Sequence, residues 1–180
     1  MMARLMRVCT DLLLQMVEAG DKLLRPTAGG YAGSWGPWAP QPTVGTQSDH
    51  SVLLSPRMYA RQILPYDREV LASRPLSLFH LHSGGLHVVP ALVEAPELNV
   101  IEVSIDPTPT GERPANEMEM LRLIQQHKSL MLFDGPFAAG EGVALPAELE
   151  PKRLCYVAQF EVEEYEQVPA GFPGRQEWLL

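Results

Sequence analysis

Cysteine is scarce in this chain, because its 180 residues include only Cys9 and Cys155. Two cysteines so far apart do not form the disulfide framework of a small secreted domain, and they suit a reducing cytosol. Basic residues are also few: 14 Lys and Arg stand against 22 Asp and Glu, which gives a formal charge of −8. Because an acidic surface repels phosphate backbones, we do not expect nucleic acid as a partner.

Long apolar runs are absent as well. In the N-terminal segment, Arg7, Asp11 and Glu18 interrupt the apolar residues, so the segment is too polar to span a membrane. It also has no cleavage site of the kind that follows a signal peptide. Its apolar residues recur at helical spacing, which predicts an amphipathic helix over residues 3–19 that Gly20 ends. We therefore expect a cytoplasmic protein that does not cross a membrane.

The common motifs for nucleotide binding and nucleophilic catalysis are missing too. The sequence contains no P-loop, no GxGxxG after a strand, no GxSxG and no CxxC. Nucleotide-binding and serine-hydrolase functions are therefore disfavoured.

The sequence does contain an alternation of short apolar segments and helical segments. Ser55 and Pro56 have the character of an N-cap and a first helical residue, and they predict a helix over residues 56–72 with a kink at Pro65. Strands are predicted at residues 30–35, 76–81, 100–105, 129–133 and 153–158. Further helices are predicted at residues 86–95, 115–127, 146–150 and 161–168. Strands that alternate with helices are typical of βαβ units with a parallel sheet.

We therefore predict an α/β fold: an incomplete (β/α)₈ TIM-type barrel with about five parallel strands, in a single domain over residues 1–180. A closed barrel of this type has eight strands and typically ~250 residues. Five strands leave two open sheet edges. A truncated chain, a small open sheet or a covering partner would each account for them.

The segment FHLHSGG at residues 79–85 is the most informative motif. His80 and His82 are two residues apart at the end of a predicted strand, so both side chains point to the same face. Active sites of such barrels lie at this end of the strands. Two imidazoles there could transfer protons or bind a metal, and the alternative is a pair of structural histidines. Ser83 and Gly84 follow in a tight turn whose N–H groups could bind an anionic substrate.

Cys155 lies in the last predicted strand and could return to the same barrel mouth. With His80 and His82 it would complete a three-ligand zinc site. The alternative is a small buried apolar side chain, which is the more common role of an isolated cysteine.

Two carboxylates accompany the strand predicted at residues 100–105. Asp106 follows its end, where catalytic carboxylates occur, although Asp-Pro is also a common turn. On strand alternation Glu102 shares a face with Asp106. Glu102 could therefore point into the barrel and act there, or form a buried ion pair.

Three residues in the preceding loop are candidate substrate-binding residues. Asp49 comes directly before a capped helix, and loops at a barrel mouth often carry substrate contacts. Trp35 and Trp38 could line an apolar cavity. The alternatives are a solvated loop for Asp49 and simple packing for the two tryptophans.

Taken together, these segments resemble the uroporphyrinogen decarboxylase superfamily over residues 29–159. Residues 35–49 look like its strand and aromatic loop that end in an acidic position. LLSPRMYARQILPYDREV at 53–70 looks like its "LSP…Y…PY" helix, and residues 79–98 look like its strand with the H-x-C-G or H-x-H-S turn. VIEVSIDPTP at 100–109 looks like its strand that ends in Asp-Pro.

The resemblance implies a (β/α)₈ barrel enzyme with one of two activities. One is a lyase that decarboxylates a tetrapyrrole in porphyrin biosynthesis without a cofactor, with His80, His82 and Asp106 as catalytic residues. The other is a zinc-dependent methyltransferase that acts on corrinoid proteins and thiols, whose His-x-Cys and distant Cys would correspond to His80, His82 and Cys155. The expected partner is then a small molecule, either a tetrapyrrole or a methylated corrinoid or thiol.

The chain also departs from both branches of the superfamily. His82 replaces the first cysteine of the methyltransferase motif. The arginine-rich motif and catalytic Asp of the decarboxylases belong to an N-terminal half that is not found here, and AAGEG at 138–142 lacks the histidine of their Gly-His-Gly segment. A third expectation is therefore a truncated, inactive chain that needs a partner half-barrel or forms a homo-oligomer.

Overall fold

Five parallel strands form the centre of the fold in a computed structural model that describes residues 2–33, 36–106, 115–137 and 149–160. The described residues contain seven strands, two of them outside this sheet. In chain order they are β1 (Tyr31–Ala32), β2 (Trp38–Ala39), β3 (Thr43–Gln47), β4 (Leu76–His82), β5 (Val100–Ser104), β6 (Ser129–Phe137) and β7 (Leu154–Phe160). β1 and β2 form a separate antiparallel pair. The other strands make a five-stranded sheet in the order β3-β4-β5-β6-β7, in which every neighbouring pair is parallel.

Helices connect the strands of the parallel sheet. α1 (Met2–Asp21) precedes all of the strands, and the helices between strands are α2 (Pro56–Gln62), α3 (Leu64–Leu71), α4 (Val89–Leu92) and α5 (Glu117–His127), with 3₁₀ helices at Asp49–Leu53 and Ser83–Val88. The fold is therefore a mixed α/β fold in which a five-stranded parallel sheet alternates with helices, as predicted. Sequential strand order is compatible with part of an α/β barrel.

The helices of the described connections, α2 to α5, pack on one face of the sheet. Phe79, Ile101 and Leu130 are register partners on that face, and each is almost completely buried. They belong to one apolar cluster with Leu92 of α4 and Leu121 of α5. Since side chains alternate along a strand, His80 and Glu102 point to the opposite face. The helix-covered face of the sheet thus holds the apolar cluster, and the buried polar pair of His80 and Glu102 lies on the other face.

The strand predicted at residues 30–35 is wrong as a member of this sheet. In the described part of that range, residues 30–33, the strand is Tyr31–Ala32, and it pairs with Trp38–Ala39. The first strand of the parallel sheet is Thr43–Gln47, whose β-branched residues favour an extended backbone. The Gly-rich segment forms a hairpin instead because Gly36 turns the chain with a φ of 90°.

The other predicted elements are close to the observed ones, with two differences in form. The helix predicted at 56–72 is two helices that meet at Ile63, because Pro65 has no N–H for a continuous helix. Ser55 caps the first of them, since its Oγ accepts a hydrogen bond from the Met58 N–H at 3.2 Å. The helix predicted at 86–95 is the 3₁₀ helix Ser83–Val88 followed by α4. The predicted helix at 161–168 and most of that at 146–150 lie outside the described residues.

Within the described ranges, no helix combines the length and the apolar character that a membrane span needs. This agrees with the polar interruptions of the N-terminal helix.

One buried acid in the helical layer affects how stability depends on pH. Tyr59 is fully buried, and its hydroxyl donates a hydrogen bond of 2.9 Å to Asp67 Oδ2. Burial raises the pKa of Asp67 from 3.8 to about 7, although the hydrogen bond from Tyr59 acts in the opposite direction. The folded protein therefore holds this proton more tightly than the unfolded chain does.

We predict that Asp67→Asn removes a pH-dependent loss of stability. The stabilisation from the proton on Asp67 is fully present below pH 4, the pKa range of an unfolded Asp, and it is lost as the pH rises to about 7. Between pH 5 and 8 the free energy of unfolding should fall by roughly 2 kcal/mol more in the wild type than in Asp67→Asn. Urea unfolding at the two pH values measures the difference. Glu119→Gln, at an exposed position of α5, is the control and should behave as the wild type does. If the unfolding free energies of the wild type and Asp67→Asn change equally with pH, the raised pKa of Asp67 is contradicted.

Candidate active site at the ends of strands β3 to β5

The register of the parallel sheet brings polar residues of three strands into one row. Gln47 of β3, His80 of β4 and Glu102 of β5 are successive register partners. Partners in a parallel sheet point to the same face, so the three side chains are neighbours on the face that the helices do not cover. His82 and Ser104 form the next row on the same face, closer to the carboxyl ends of the strands.

His80 and Glu102 form a buried pair. The exposed fraction is 7% for His80 and 0% for Glu102, and His80 Nδ1 hydrogen-bonds to Glu102 Oε2. The Ser104 hydroxyl donates to the other carboxylate oxygen of Glu102 at 2.9 Å. Of the two alternatives for Glu102, the structure therefore contains the buried pair, and Glu102 fixes the orientation of the His80 ring.

The charges around His80 outweigh its desolvation. Burial is the largest single influence and lowers the pKa of His80. The hydrogen bond and charge of Glu102, together with the charges of Asp49 and Asp106, act against it, and the net result is a raised pKa. His80 thus lies in an electronegative environment that favours a cation.

His82 forms a similar pair at the rim of the sheet. Its Nδ1 lies 2.7 Å from Asp106 Oδ1, and both side chains are nearly half exposed. Ser83 holds this carboxylate in place, because its hydroxyl lies 3.4 Å from Asp106 Oδ2 and accepts a hydrogen bond of 3.1 Å from the Asp106 N–H. The turn after β4 and the turn after β5 are therefore joined through Ser83 and Asp106.

Asp49 approaches the two histidines from the end of β3. The Gln47 side chain donates a hydrogen bond of 2.9 Å to Asp49 Oδ2, while Asp49 Oδ1 lies 3.9 Å from His80 Nε2. The rings of His80 and His82 are nearly perpendicular, with centroids 4.8 Å apart. One ligand atom from each of Asp49, His80 and His82 lies within 4.8 Å of the others. In the described part of the chain this is the one group of three that could hold a metal ion.

Cys155 does not join this group. Cys155 lies on β7 and is the register partner of Met131 on β6. It is in the same row as His80, but three strands away from His80. At the usual spacing of ~4.8 Å between strands, the separation is on the order of 14 Å. The third candidate ligand beside the two histidines is therefore Asp49, and not Cys155 as the sequence suggested.

The remaining predicted substrate-binding residues divide into two sets. Trp38 belongs to the β1–β2 hairpin, where it is 57% exposed and its indole N–H donates to the Thr27 carbonyl at 3.2 Å, so it lies on the surface and does not line a cavity. Trp35 lies outside the described residues. Ser83 lies in the site, bonded to Asp106, and Gly84 follows it in the 3₁₀ helix Ser83–Val88.

A close contact between two 3₁₀ helices forms the edge of the site. A Cβ atom at Gly85 would lie 2.7 Å from Ser51 Oγ and 2.8 Å from Leu81 Cδ1, so a larger residue there would have to displace both side chains. Ser51 follows Asp49 in one 3₁₀ helix, and Gly85 follows Ser83 in the other. This packing sets the distance between the segment that carries Asp49 and the segment that follows His82.

Gln47, Glu102 and Ser104 are the supporting residues that the predicted site did not include. The alternation of β5 was enough to place Glu102 and Ser104 on the inner face. No feature of the sequence indicated that Gln47 lies on this face, because no strand was predicted at residues 43–47. Together with Asp49 and Asp106, Glu102 gives the site three carboxylates, and among the described residues their ion pairs at the site are with the two imidazoles.

Comparison of the chain with protein-family models, with curated proteins and with solved structures found no match in any of the three. The assignment of function therefore depends on the geometry of the site and on the motifs of the sequence.

We predict that Glu102→Ala strongly destabilises the protein. It leaves His80 buried without its carboxylate, and breaking a buried pair from one side costs about 3–5 kcal/mol of unfolding free energy. Glu119→Ala, which removes an exposed carboxylate from α5, should change the value by less than about 0.5 kcal/mol. Urea unfolding at pH 7 measures both variants.

A double-mutant cycle with His80→Ala isolates the pair itself. The double variant should be less destabilised than the sum of the single variants, by about 1–3 kcal/mol. Additive effects of the two substitutions would show that His80 and Glu102 do not interact.

Proposed function

We propose that this chain belongs to the uroporphyrinogen decarboxylase superfamily and contributes part of its (β/α)₈ barrel. The support is the agreement of two independent features. The four superfamily-like segments occur in the expected order, and the residues in them that carry chemistry lie at the carboxyl ends of sequential parallel strands, where such barrels bind substrate. A complete barrel has eight strands. Activity would then require strands in addition to the five in the described residues.

Within this superfamily, we propose that the site is a divalent metal centre, as in the zinc-dependent methyltransferase branch. The observation that carries this proposal is the pairing of both histidines with carboxylates through Nδ1. Histidines that bind a metal nearly always donate their other N–H to a carboxylate, carbonyl or water, which fixes the tautomer and the ring. With Nδ1 so engaged in His80 and His82, Nε2 is the nitrogen that would coordinate.

The donor set fits such an ion. Two imidazole nitrogens and one carboxylate oxygen, from His80, His82 and Asp49, are donors that zinc and ferrous iron accept, and three protein ligands leave a position open for substrate. When bound, an ion of this class acts as a Lewis acid and lowers the pKa of a coordinated thiol or water. The chain's own residues hold the donors in place: Glu102 orients His80, Asp106 orients His82 and Gln47 orients Asp49.

The site departs from the superfamily's zinc ligands in a way that affects metal choice. An imidazole and a carboxylate stand where the methyltransferases use thiolates. Soft thiolates select zinc and cuprous copper, whereas imidazole and carboxylate also accept iron, cobalt, nickel and manganese. Metal preference therefore has to be measured over this series rather than for zinc alone.

The second candidate is the cofactor-free decarboxylase activity. It is favoured by the position of His82, which is partly exposed at the rim and held by Asp106, and so could deliver a proton as carbon dioxide leaves. The three carboxylates of the site oppose it. Asp49, Glu102 and Asp106 would repel the acetate carboxylates of a tetrapyrrole substrate, whereas a divalent cation would neutralise much of their charge. For this reason the metal-dependent activity is the first proposal.

We predict that the metal-depleted protein takes up about one equivalent of a divalent ion after dialysis against zinc, ferrous iron, cobalt or manganese, measured by elemental analysis. Binding to the folded state should also raise the melting temperature. His82→Ala and Asp49→Asn should lose most of the bound metal, while His127→Ala, at an exposed position of α5, should retain it. Absence of stoichiometric metal with all four ions would reject the metal centre and leave the decarboxylase candidate.

We also predict that Asp106→Asn weakens metal binding without abolishing it. Loss of a carboxylate behind a ligand histidine typically lowers affinity 10–100-fold. Competition with a chromophoric chelator measures the affinity. An affinity equal to that of the wild type would show that Asp106 does not support a ligand.

A further inference from the structure

Helix α1 has an exposed apolar stripe on the face that points away from the rest of the protein. The stripe consists of Leu5, Val8, Cys9, Leu12 and Met16, and we call it the α1 stripe. Leu5 is 59% exposed, Leu12 54% and Met16 69%. These residues recur at intervals of three and four, the spacing of a contact surface on one side of a helix. Isolated apolar residues are common on surfaces, but a contiguous stripe indicates a contact.

The opposite face of α1 is already occupied by α3. Thr10 is buried on this side, Arg7 Nη1 forms an ion pair of 2.7 Å with Glu69, and the Tyr66 hydroxyl donates to the Ala3 carbonyl at 3.3 Å. Among the described residues α3 contacts α1 from this side only, which leaves the α1 stripe exposed. The contacts with α3 also make α1 a firmly placed helix and not a loose terminal segment.

The charges along α1 are arranged against its own dipole. Arg4 and Arg7 lie near the amino end, Glu18 and Asp21 lie at the carboxyl end, and the first turn has no acid and the last turn no base. A helix is stabilised by the opposite arrangement, so this distribution is unfavourable for α1 alone. It becomes favourable when an antiparallel copy places its acidic end beside the basic end of the first helix.

From this stripe and this charge distribution, we infer that α1 mediates a homodimer in which the α1 stripes of two copies pack antiparallel about a two-fold axis. Such a contact is self-complementary, as a two-fold interface requires. Centring the axis beside residues 10 and 11 sets Leu5 opposite Met16 of the second copy and Cys9 opposite Leu12. Both apolar ends of the stripe are then covered.

The same alignment pairs the charges at one edge of the stripe. Arg4 lies beside Glu18 of the second copy, and Glu18 lies beside Arg4 of the second copy. Asp11 comes near its own symmetry mate, and Arg7, which also pairs with Glu69, offsets part of its charge within each copy at 2.9 Å. Glu18 is otherwise 3.9 Å from Lys22 in an exposed pair, which is a weak interaction and leaves Glu18 able to pair with an arginine.

Light scattering on the whole chain tests the dimer directly. The mass expected is twice the 20.0 kDa of the chain, and Leu12→Glu with Met16→Glu should reduce it to a monomer that keeps the wild-type circular dichroism. Met58→Glu, an exposed methionine on α2, is the matched control and should leave the mass unchanged. A wild-type monomer at high protein concentration would overturn the inference, and so would a dimer that survives both glutamates.

Charge exchange tests the antiparallel alignment. Arg4→Glu and Glu18→Arg each improve the match of α1 to its own dipole but set like charges against each other across the axis. Each should therefore raise the dimer dissociation constant about tenfold, and the double variant should restore it. A gain of dimer stability in either single variant, or no recovery in the double variant, would overturn the alignment.

Thiol cross-linking gives a second readout of the same alignment. In this register the two Cys9 residues are offset by about 4.5 Å along helix axes that lie about 8–10 Å apart, within reach of a short bis-maleimide. The wild type and Cys155→Ser should yield a covalent dimer, whereas Cys9→Ser should not. A dimer that cross-links only through Cys155 would place the contact on another face and reject the α1 interface.

Discussion

The buried carboxylate of Glu102 is the constraint on which the inner face of the sheet depends. A charge with no exposure to water is costly unless it is fully paired, and Glu102 meets this condition through His80 and Ser104. The pair fixes the ring of His80 and leaves Nε2 directed toward Asp49. Replacement by an apolar pair would favour stability in many proteins. Removal of one partner alone, by contrast, leaves the other buried without its counter-charge.

The parallel register of the strands places further polar residues beside the pair of His80 and Glu102. Because each strand hydrogen-bonds to the next in sequence, residues at the ends of β3, β4 and β5 come from three chain segments but lie side by side. The core on the other face, around Phe79, Ile101 and Leu130, holds those strands in register. A slip of one residue would turn the histidines into the helical layer, so the apolar and the functional patterns support each other.

The sequence was sufficient for elements with one dominant signal. β4 and β5 are short, mainly apolar segments, α5 has a clear helical period, and Pro65 marks the break between α2 and α3. The inner-face position of Glu102 followed from alternation alone.

The pairing of β3 with β4 could not be predicted from the sequence. Thr43–Gln47 is short, contains Gly45 and follows a Gly- and Pro-rich loop, so its weak pattern was not recognised as a strand. Without it, Asp49 could not be placed beside His80, and Cys155 was the plausible third ligand. Contacts between strands depend on sheet order, which local patterns describe poorly.

The close contact at Gly85 has a mechanical consequence. Since Ser51 packs where a side chain at position 85 would otherwise lie, the chain segments that begin with Asp49 and Ser83 cannot shift independently. Ser83 is in turn bonded to Asp106, so displacement of one segment is transmitted across all three strand ends. A molecule that enters the mouth and pushes on either 3₁₀ helix would therefore displace Asp49 and Asp106 together.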